Sequence, residues 1–159
     1  MVGREGMLGV QLALGVEAPP LRALVQGAGT AWRMGAEAFK AELAASPEIS
    51  HQLNRYLYVQ LAQLAATTAC VRFHDIGSRL ARWLLISQDR SQPVSFAVTQ
   101  EFLSYMLGVR RAGITEAAGA LQRKGLISYS RGKVTVLNRS GLEHAACSCY
   151  VNDQKIHAA

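Results

Sequence analysis

The sequence lacks a long apolar run, since no stretch reaches the roughly 18 consecutive apolar residues that a membrane-spanning helix requires. Its start also lacks the order of basic, apolar and small segments that is typical of a signal peptide. We therefore expect no membrane partner and a cytoplasmic location. Only three cysteines are present, and an odd number without an export signal favours reduced thiols over a disulfide framework.

The marks of a nucleophilic enzyme are also missing, because no thiol or hydroxyl stands with an evident base and orienting partner. We expect no enzymatic activity. At 159 residues, 50% of them hydrophobic, the chain can bury a core and form one domain or two small ones.

Residues that ligate metals are few. Cys147 and Cys149 form a Cys-x-Cys pair, and His144 and His157 lie nearby in the sequence. Such a pair alone is weak, because structural zinc sites usually combine two ligand pairs at wider spacing. Cys70, alone on an apolar helix, is more typical of a packed small hydrophobe than of a redox sensor. We predict no metal and no cofactor.

Acidic residues are scarce where basic ones concentrate. From residue 99 to residue 139, seven Lys or Arg residues stand against two carboxylates, a net charge of +5 out of +6 for the whole chain. This focus is typical of a surface that binds a polyanion with salt-sensitive affinity. The alternative is a solvated basic face on an ordinary helical domain. The basic residues are Arg110, Arg111, Arg123, Lys124, Arg131, Lys133 and Arg139.

The same segment opens with a short predicted helix. Thr99 can accept hydrogen bonds from the free amides of its first turn, where Glu101 is also favourable. Gly108 ends the helix, because glycine readily adopts the left-handed conformation after a last helical turn. The expected apolar face consists of Phe102, Leu103, Met106 and Leu107.

A second helix follows at once and ends before Gly125. Two helices joined by a turn of about three or four residues present the second one to the DNA major groove. Arg110 and Arg111 lie in its first turn, where an arginine can bind guanine in fork geometry, and Arg111 is the first candidate. The expected buried face consists of Ile114, Ala117, Ala118 and Leu121.

A basic hairpin comes next. Apolar residues alternate at Ile127 and Tyr129 and again at Val134 and Val136, with Arg131-Gly132 at the bend. This pattern predicts two strands and a tight turn, which together form a wing. At its tip, Arg131 and Lys133 are placed to contact phosphate, which adds affinity but little sequence information.

The first part of the chain is rich in Gly, Val, Leu and Ala and shows no long helical period. We predict strands over residues 7–14 and 24–34, with a loop over residues 15–21. A sheet of so few strands would be marginal alone. Residues 36–45 are expected to form a short helix with Phe39 and Leu43 inward.

A long helix is predicted after Ser46-Pro47, since proline suits a first helical position. No Gly or Pro occurs from Glu48 until Gly77. Its heptad spacing indicates a short, partly polar coiled-coil seam, and hence a homodimer. The alternative is a buried monomeric helix. The seam residues are Leu53, Leu57, Gln60, Leu64, Thr67 and Val71.

Asp75 can cap the following helix, predicted over residues 76–88, with Arg79 and Arg82 on its outer side. Its core candidates are Leu80, Trp83, Leu84 and Ile86.

The remaining segments give weaker indications of secondary structure. Residues 91–93 interrupt the helix, and residues 94–98 are expected to form a short strand. Ser140 is expected to cap a last helix over residues 141–147, followed by a frayed tail from residue 153.

Taken together, these motifs resemble the Crp/Fnr family of bacterial transcription regulators, nearly throughout the chain from about Gly9. The resemblance rests on the Ser46-Pro47 helix start, Phe73-His74-Asp75 at the hinge and Arg79-Leu80-Ala81 after it. The most specific match is VTQEFLSYMLGVRRAGITEAAGALQRKGLI, which starts at Val98, together with the wing.

The resemblance implies an α+β fold with a partial, jelly-roll-like β-roll, a long dimerisation helix and a C-terminal winged helix-turn-helix. The implied bounds are 1–45 for the partial cyclic-nucleotide-binding-like roll, 46–74 for the dimerisation helix, 75–150 for the DNA-binding domain and 151–159 for a tail. The first strands of the roll are missing. A degenerate sensor, a truncated one and a shortened reading frame are three interpretations.

Family members that bind cyclic nucleotides use a Gly-Glu phosphate cassette, an Arg-Ser pair and a Thr-Ser pair on the long helix. At the matching places this chain has Gly9-Val10, Leu21-Arg22 and Leu64-Ala65. The ribose hydroxyl would find no carboxylate, and the base would meet only apolar atoms. The resemblance therefore implies no response to cyclic AMP.

In the second helix, the resemblance implies that Arg111 contacts a base and that Arg110 and Glu116 stand where the family varies its specificity. Gln100 matches a position that contacts backbone phosphate. The expected DNA-binding residues are Gln100, Arg110, Arg111, Gly113, Thr115, Glu116, Arg131 and Lys133.

The expected function is a homodimeric transcription regulator that binds a palindromic site in double-stranded DNA. RNA polymerase is a possible further partner. The alternative is a shortened dimerisation or interaction module that modulates a full-length relative without regulating on its own.

Overall fold

The structure is a computed structural model and describes residues 1–4, 6–18, 22–91 and 95–158. These residues form two compact units, Met1–Ala62 and Gln63–Ala159. The α+β class is confirmed, and none of the described helices is long and apolar enough to span a bilayer. The described helices are α1 (Ala36–Ala45), α2 (Pro47–Phe73), α3 (Ile76–Ser91), α4 (Gln100–Leu107), α5 (Arg111–Arg123), α6 (Arg139–Ala145) and α7 (Cys149–Ala158), and the strands are β1 (Ser95–Ala97), β2 (Ile127–Ser130) and β3 (Lys133–Val136).

Turns replace the two strands predicted near the start. A 3-10 helix, Val10–Leu14, lies between Gly9 and Gly15, whose φ angles are 88° and 75°. Residues 22–34 contain neither helix nor strand. The predicted strands 7–14 and 24–34 are therefore wrong, because two strands with open edges cannot bury both faces of a sheet. Of the loop predicted next to them, Pro19, Pro20 and Leu21 lie outside the described residues.

The two predicted helices after this segment are confirmed. Helix α1 has the predicted bounds, and Phe39 and Leu43 are half-buried. Helix α2 begins at Pro47, whose missing amide hydrogen would have no partner in a first turn. Ser46 Oγ accepts a hydrogen bond from the Ile49 amide at 3.3 Å, which satisfies one of the free donors of that turn.

Helix α3 forms the centre of the second unit. Leu80 and Leu84 are fully buried, as predicted, and Trp83 is half-buried with its ring 6.4 Å from that of Phe96 and 6.3 Å from that of Phe102. The residues buried around α3 include Ala81, Leu85, Leu103, Ile114, Leu121, Ile127, Val134 and Leu142.

Two arginines of α3 are buried, so the prediction that they face outward is wrong. Arg79 donates a hydrogen bond to the backbone carbonyl of Leu107. Arg82 Nε donates to Asp153 Oδ2 at 2.7 Å, and Arg82 Nη2 donates to Thr67 Oγ1 at 3.2 Å. A buried charge requires such partners, and these come from distant parts of the chain.

The sheet has the order β1, β3, β2, and neighbouring strands are antiparallel. Strands β2 and β3 form the predicted hairpin, in which Ser130 is paired with Lys133. Arg131 and Gly132 between them have φ angles of 50° and 74°, as a two-residue hairpin turn of the primed type requires.

The third strand, β1, lies within the predicted strand 94–98. Ser95 Oγ and Thr135 Oγ1 are 2.6 Å apart and join it to β3. Of the predicted helix interruption, Ser91 is wrong, because it is the last residue of α3, and Gln92 and Pro93 lie outside the described residues, as does Val94.

The C-terminal segment forms two helices. Asn138, and not Ser140, caps α6, since its side-chain oxygen accepts a hydrogen bond from the Gly141 amide at 2.8 Å. Helix α7 covers the tail that was expected to fray, so that prediction is wrong. Tyr150 and Asp153 of α7 are buried, and these tertiary contacts hold a segment with weak local helix signals.

The cap at Asp75 should make a pH-dependent contribution to the free energy of unfolding. Its Oδ1 accepts a hydrogen bond from the Ser78 amide at 3.0 Å, and this bond is the main reason that the pKa of Asp75 lies below its usual 3.8. A lowered folded-state pKa stabilises the fold above the ordinary pKa, and the effect is lost as pH falls through the folded-state pKa. We expect Asp75→Ala to lower the free energy of unfolding by about 0.5–2 kcal/mol at neutral pH.

The measurement is urea unfolding of both proteins from neutral pH down to the acid range. The difference in unfolding free energy should shrink as Asp75 becomes protonated. A difference that is constant with pH would contradict the role of the carboxylate.

Candidate DNA interface

The corner between α4 and α5 is built as predicted. Thr99 Oγ1 accepts a hydrogen bond from the Phe102 amide at 3.1 Å and caps α4. Gly108 has a φ of 62° and ends α4, and the Val109 amide then donates to the Ser104 carbonyl at 3.1 Å. The left-handed glycine therefore reverses the chain within a few residues.

One residue of the predicted apolar face of α4 does not belong to it. Leu103 and Leu107 are buried and Phe102 is half-buried, but Met106 is 45% exposed. The buried face of this short helix is narrower than the periodicity suggests.

Helix α5 has one buried and one open side. Its four predicted core residues are all buried, whereas Arg111, Thr115 and Glu116 are exposed. Arg110 precedes the helix in an extended conformation and is also exposed. The start of α5 thus presents two arginines outward, at the end from which recognition helices in general contact base edges. The buried residues are Ile114, Ala117, Ala118 and Leu121.

Two predicted DNA-binding residues, Gln100 and Thr115, are hydrogen-bonded to each other. Thr115 Oγ1 is 2.9 Å from Gln100 Oε1 and 3.1 Å from the carbonyl of Arg111, so its single hydroxyl proton is shared between these two acceptors. Gln100 begins α4 and Thr115 lies in the second turn of α5. This contact fixes the start of one helix against the exposed face of the other.

Gly113 lies where α5 packs tightly on α3. A Cβ added to it would lie 2.8 Å from Cδ1 of Ile76 on α3. A side chain at this position would therefore point toward α3. Glycine at position 113 therefore allows α5 to pack closely on α3. Because glycine has no side chain, the predicted DNA contact of Gly113 would have to come from the backbone.

The base of the wing is hydrogen-bonded to the end of α5 and to the segment before α4. Tyr129 Oη donates a hydrogen bond to the Val98 carbonyl at 2.7 Å, and the Tyr129 amide donates to Gln122 Oε1 at 2.8 Å. Burial raises the pKa of Tyr129, and the positive charge of Arg111 acts in the opposite direction. We group the exposed basic residues of α5 and of the wing as the candidate DNA-binding surface.

Not all of the basic residues belong to this surface. Arg139 is bound to Asp89 Oδ1 at 2.7 Å and to Glu143 Oε1 at 3.0 Å, so its charge is compensated locally. The others are exposed and have no carboxylate partner among the described residues; they are Arg110, Arg111, Arg123, Lys124, Arg131 and Lys133.

The wing tip allows a prediction about salt dependence. Arg131 and Lys133 are exposed at the hairpin turn, where they can contact phosphate. We expect Lys133→Ala to weaken binding to all duplexes about equally and to reduce the slope of log affinity against log salt by about 0.9 per subunit, or about 1.8 for a dimer, since each subunit loses one phosphate contact. Fluorescence polarisation at several salt concentrations measures both quantities.

A matched control is Lys155→Ala, which removes an exposed lysine from α7. If Lys133→Ala and Lys155→Ala give the same salt slope as the unchanged chain, the wing does not contact phosphate.

A second group of side chains, not predicted to lie together, forms a cluster elsewhere in this unit. The ligand atoms of Cys70, His74, Cys147 and Cys149 all lie within 4.8 Å of one another. The missed signal was the spacing from Cys70 to His74, which puts both on one side of a helical turn. The histidine that we paired with these cysteines, His144, instead lies 2.7 Å from the Ser140 carbonyl through Nδ1. The side chain of His157 lies outside the described residues.

A capped helix, a glycine corner, an outward second helix and a basic hairpin define a winged helix-turn-helix protein. Comparison with known proteins gives the type of this domain. Residues 78–145 match the Crp-like helix-turn-helix domain. Residues 78–145 therefore form a Crp-like helix-turn-helix domain, and the predicted resemblance to the Crp/Fnr family is confirmed over this part of the chain.

Solved structures with the same fold come from several bacteria. The chain is 25% identical to a CRP-family transcriptional regulator from Thermus thermophilus, with a TM-score of 0.55 over 64% of this chain and 55% of that one. A second regulator from the same organism, of the CRP/FNR family, is 23% identical with a TM-score of 0.55 and the same coverage, 64% and 55%.

FixK2 from Bradyrhizobium japonicum is 14% identical, with a TM-score of 0.64 over 71% of this chain and 59% of FixK2. The chain thus spans little more than half the length of these structures. No curated protein sequence matches it.

Proposed function

We propose that the chain is a sequence-specific, DNA-binding transcription regulator that acts as a homodimer on a palindromic site. The observation that carries this proposal is the surface formed by the exposed Arg110 and Arg111 at the start of α5 and by the basic tip of the wing. Arginine at the first turn of such a helix reaches base edges, and the wing supplies phosphate contacts.

The dimer proposal rests on the open apolar residues of α2. Leu61, Leu64 and Val71 are 66%, 64% and 53% exposed, and the last two are at the spacing of a heptad seam. Exposed apolar residues aligned along one helix are typical of an interaction face. Of the predicted seam, Leu53, Leu57 and Gln60 are half-buried, and Leu64, Thr67 and Val71 are exposed.

The proposal includes no response to cyclic AMP and no enzymatic activity. Leu64 and Ala65, which stand where relatives carry a base-contacting pair, offer no hydrogen-bonding side chain, and Leu64 is exposed. Isothermal calorimetry with cyclic AMP should therefore show no saturable heat. A saturable signal would overturn this part of the proposal.

The central experiment selects binding sites from a pool of random duplexes and measures mass in solution. We expect a dimer that enriches a two-fold symmetric site with half-sites about 10 base pairs apart, and affinity that falls with salt. Leu64→Asp should give monomers and weaken DNA binding. Ala69→Asp, at an exposed position on another side of the same helix, is the control.

The alternative function, an interaction module, predicts another outcome of the same experiment. A stable dimer that enriches no site and shows no salt-sensitive duplex binding would overturn the regulator proposal. RNA polymerase is a further partner only if the regulator proposal holds.

A further inference from the structure

The four metal-ligand side chains noted above come from two places in the second unit. Cys70 lies in the last turns of α2, and His74 follows directly, with its amide donating to the Cys70 carbonyl at 3.1 Å. This helical hydrogen bond puts the thiol and the imidazole on the same side of the turn. Cys147 and Cys149 lie at the corner between α6 and α7.

The distances between these side chains fit a single metal ion. Cys70 Sγ is 3.5 Å from Cys147 Sγ, and Cys149 Sγ is 3.5 Å from His74 Nδ1. Tetrahedral zinc has bonds of about 2.3 Å to sulfur and about 2.0–2.1 Å to nitrogen, which puts its ligand atoms roughly 3.4–3.8 Å apart. The four ligand atoms, all within 4.8 Å, need only small side-chain rotations to reach these distances.

The chemistry of the donors selects the kind of ion. Three thiols and one imidazole make the Cys3His set of structural zinc sites, and four protein ligands leave no open position for a substrate. Soft sulfur ligands favour zinc and similar thiophilic ions over magnesium or calcium.

We propose that Cys70, His74, Cys147 and Cys149 form a closed, mononuclear site for a thiophilic divalent ion of the zinc class. The ion joins the end of α2 to the corner between α6 and α7. Three S–H bonds break and three metal–sulfur bonds form, so three protons pass to solvent while His74 binds as neutral imidazole. This site is independent of the DNA-binding surface, and its failure would leave the proposed function intact.

The test uses the full chain, freed of metal by a chelator under a reductant that does not bind metals, and then titrated with Zn²⁺ or Co²⁺. We expect one ion per chain, a higher melting temperature and a Co²⁺ spectrum with tetrahedral ligand-field and thiolate charge-transfer bands. Cys70→Ser and His74→Ala should each lower affinity more than about 100-fold, since even outer-shell partners are typically worth 10- to 100-fold. Ser148→Ala, between the two ligand cysteines, should bind as the unchanged chain does.

The titration of the unchanged chain decides the proposal even if a variant fails to fold. Absence of Zn²⁺ and Co²⁺ binding by the reduced, folded chain would overturn it, as would an octahedral Co²⁺ spectrum. Undiminished binding by a folded Cys70→Ser variant would also overturn it. A Cys70–Cys147 disulfide found by mass spectrometry, with no metal bound after reduction, would assign the cluster to thiol redox chemistry instead.

Discussion

Arg111→Ala is expected to lower affinity for the selected duplex by about 1–3 kcal/mol per half-site, roughly 5- to 150-fold for each, and to relax preference at one base pair of each half-site. Arg111 is exposed at the first residue of α5. An arginine there can donate two hydrogen bonds to guanine, and alanine leaves those acceptors unpaired. Fluorescence polarisation on the selected site and on its single-base variants measures both effects.

Two further variants separate charge from base recognition. Arg111→Lys keeps the charge but loses the fork geometry, so it should retain much of the non-specific affinity and lose the base preference. Arg123→Ala removes an exposed arginine from the last turn of the same helix and should leave base preference unchanged. If Arg111→Ala keeps the full preference of the unchanged chain, α5 does not dock as proposed.

Asp153→Ala is expected to lower the free energy of unfolding by about 3–5 kcal/mol, because it leaves Arg82 buried without its carboxylate. The side chains of Arg82 and Asp153 are 10% and 7% exposed, and the N–O distance is 2.7 Å. The second carboxylate oxygen, Oδ1, has no hydrogen-bond partner among the described residues. Removing one partner of the Arg82–Asp153 pair therefore costs stability, although the hydrogen-bonding capacity of the carboxylate is not fully used.

The structure offers a matched control at the surface. Asp89 Oδ1 is also 2.7 Å from an arginine, Arg139, but these side chains are 36% and 40% exposed. Asp89→Ala should cost about 1–2 kcal/mol, because water screens the ion pair and the hydrogen bond that Tyr150 Oη donates to Asp89 Oδ2 at 3.0 Å is lost with it. Urea unfolding with a chelator present compares the two variants without any metal contribution.

A double variant tests why Asp153→Ala lowers the free energy of unfolding. Replacing the buried pair with Arg82→Met and Asp153→Leu should recover most of the stability, because no unpaired charge then remains inside. If Asp153→Ala costs no more than Asp89→Ala, the burial of the pair does not matter for stability.

Most of the winged helix-turn-helix could be predicted because its signals are local. The Thr99 cap, the Gly108 corner and the Arg131-Gly132 turn each depend on residues within a few positions of one another. Such local signals determine the local structure wherever tertiary packing is compatible with it. Helical periodicity identified all four buried residues of α5 in the same way.

The predicted strands near the start failed for the opposite reason. Short apolar runs such as residues 24–34 favour a strand only when other strands are present to pair with them. Trp32 is fully exposed in the structure, so the apolar pattern there does not report a buried face. The domain bounds that depended on those strands stay predictions.

The sequence by itself determined the winged helix-turn-helix, because caps, glycine turns and side-chain periods act over a few residues. Only the tertiary structure decided which polar groups meet across the fold. Cys70 and Cys147 are 77 positions apart, and Arg82 and Asp153 are 71 apart. No local pattern encodes such pairs, since they form only when packed helices bring α7 and the α6–α7 corner against α3 and the end of α2.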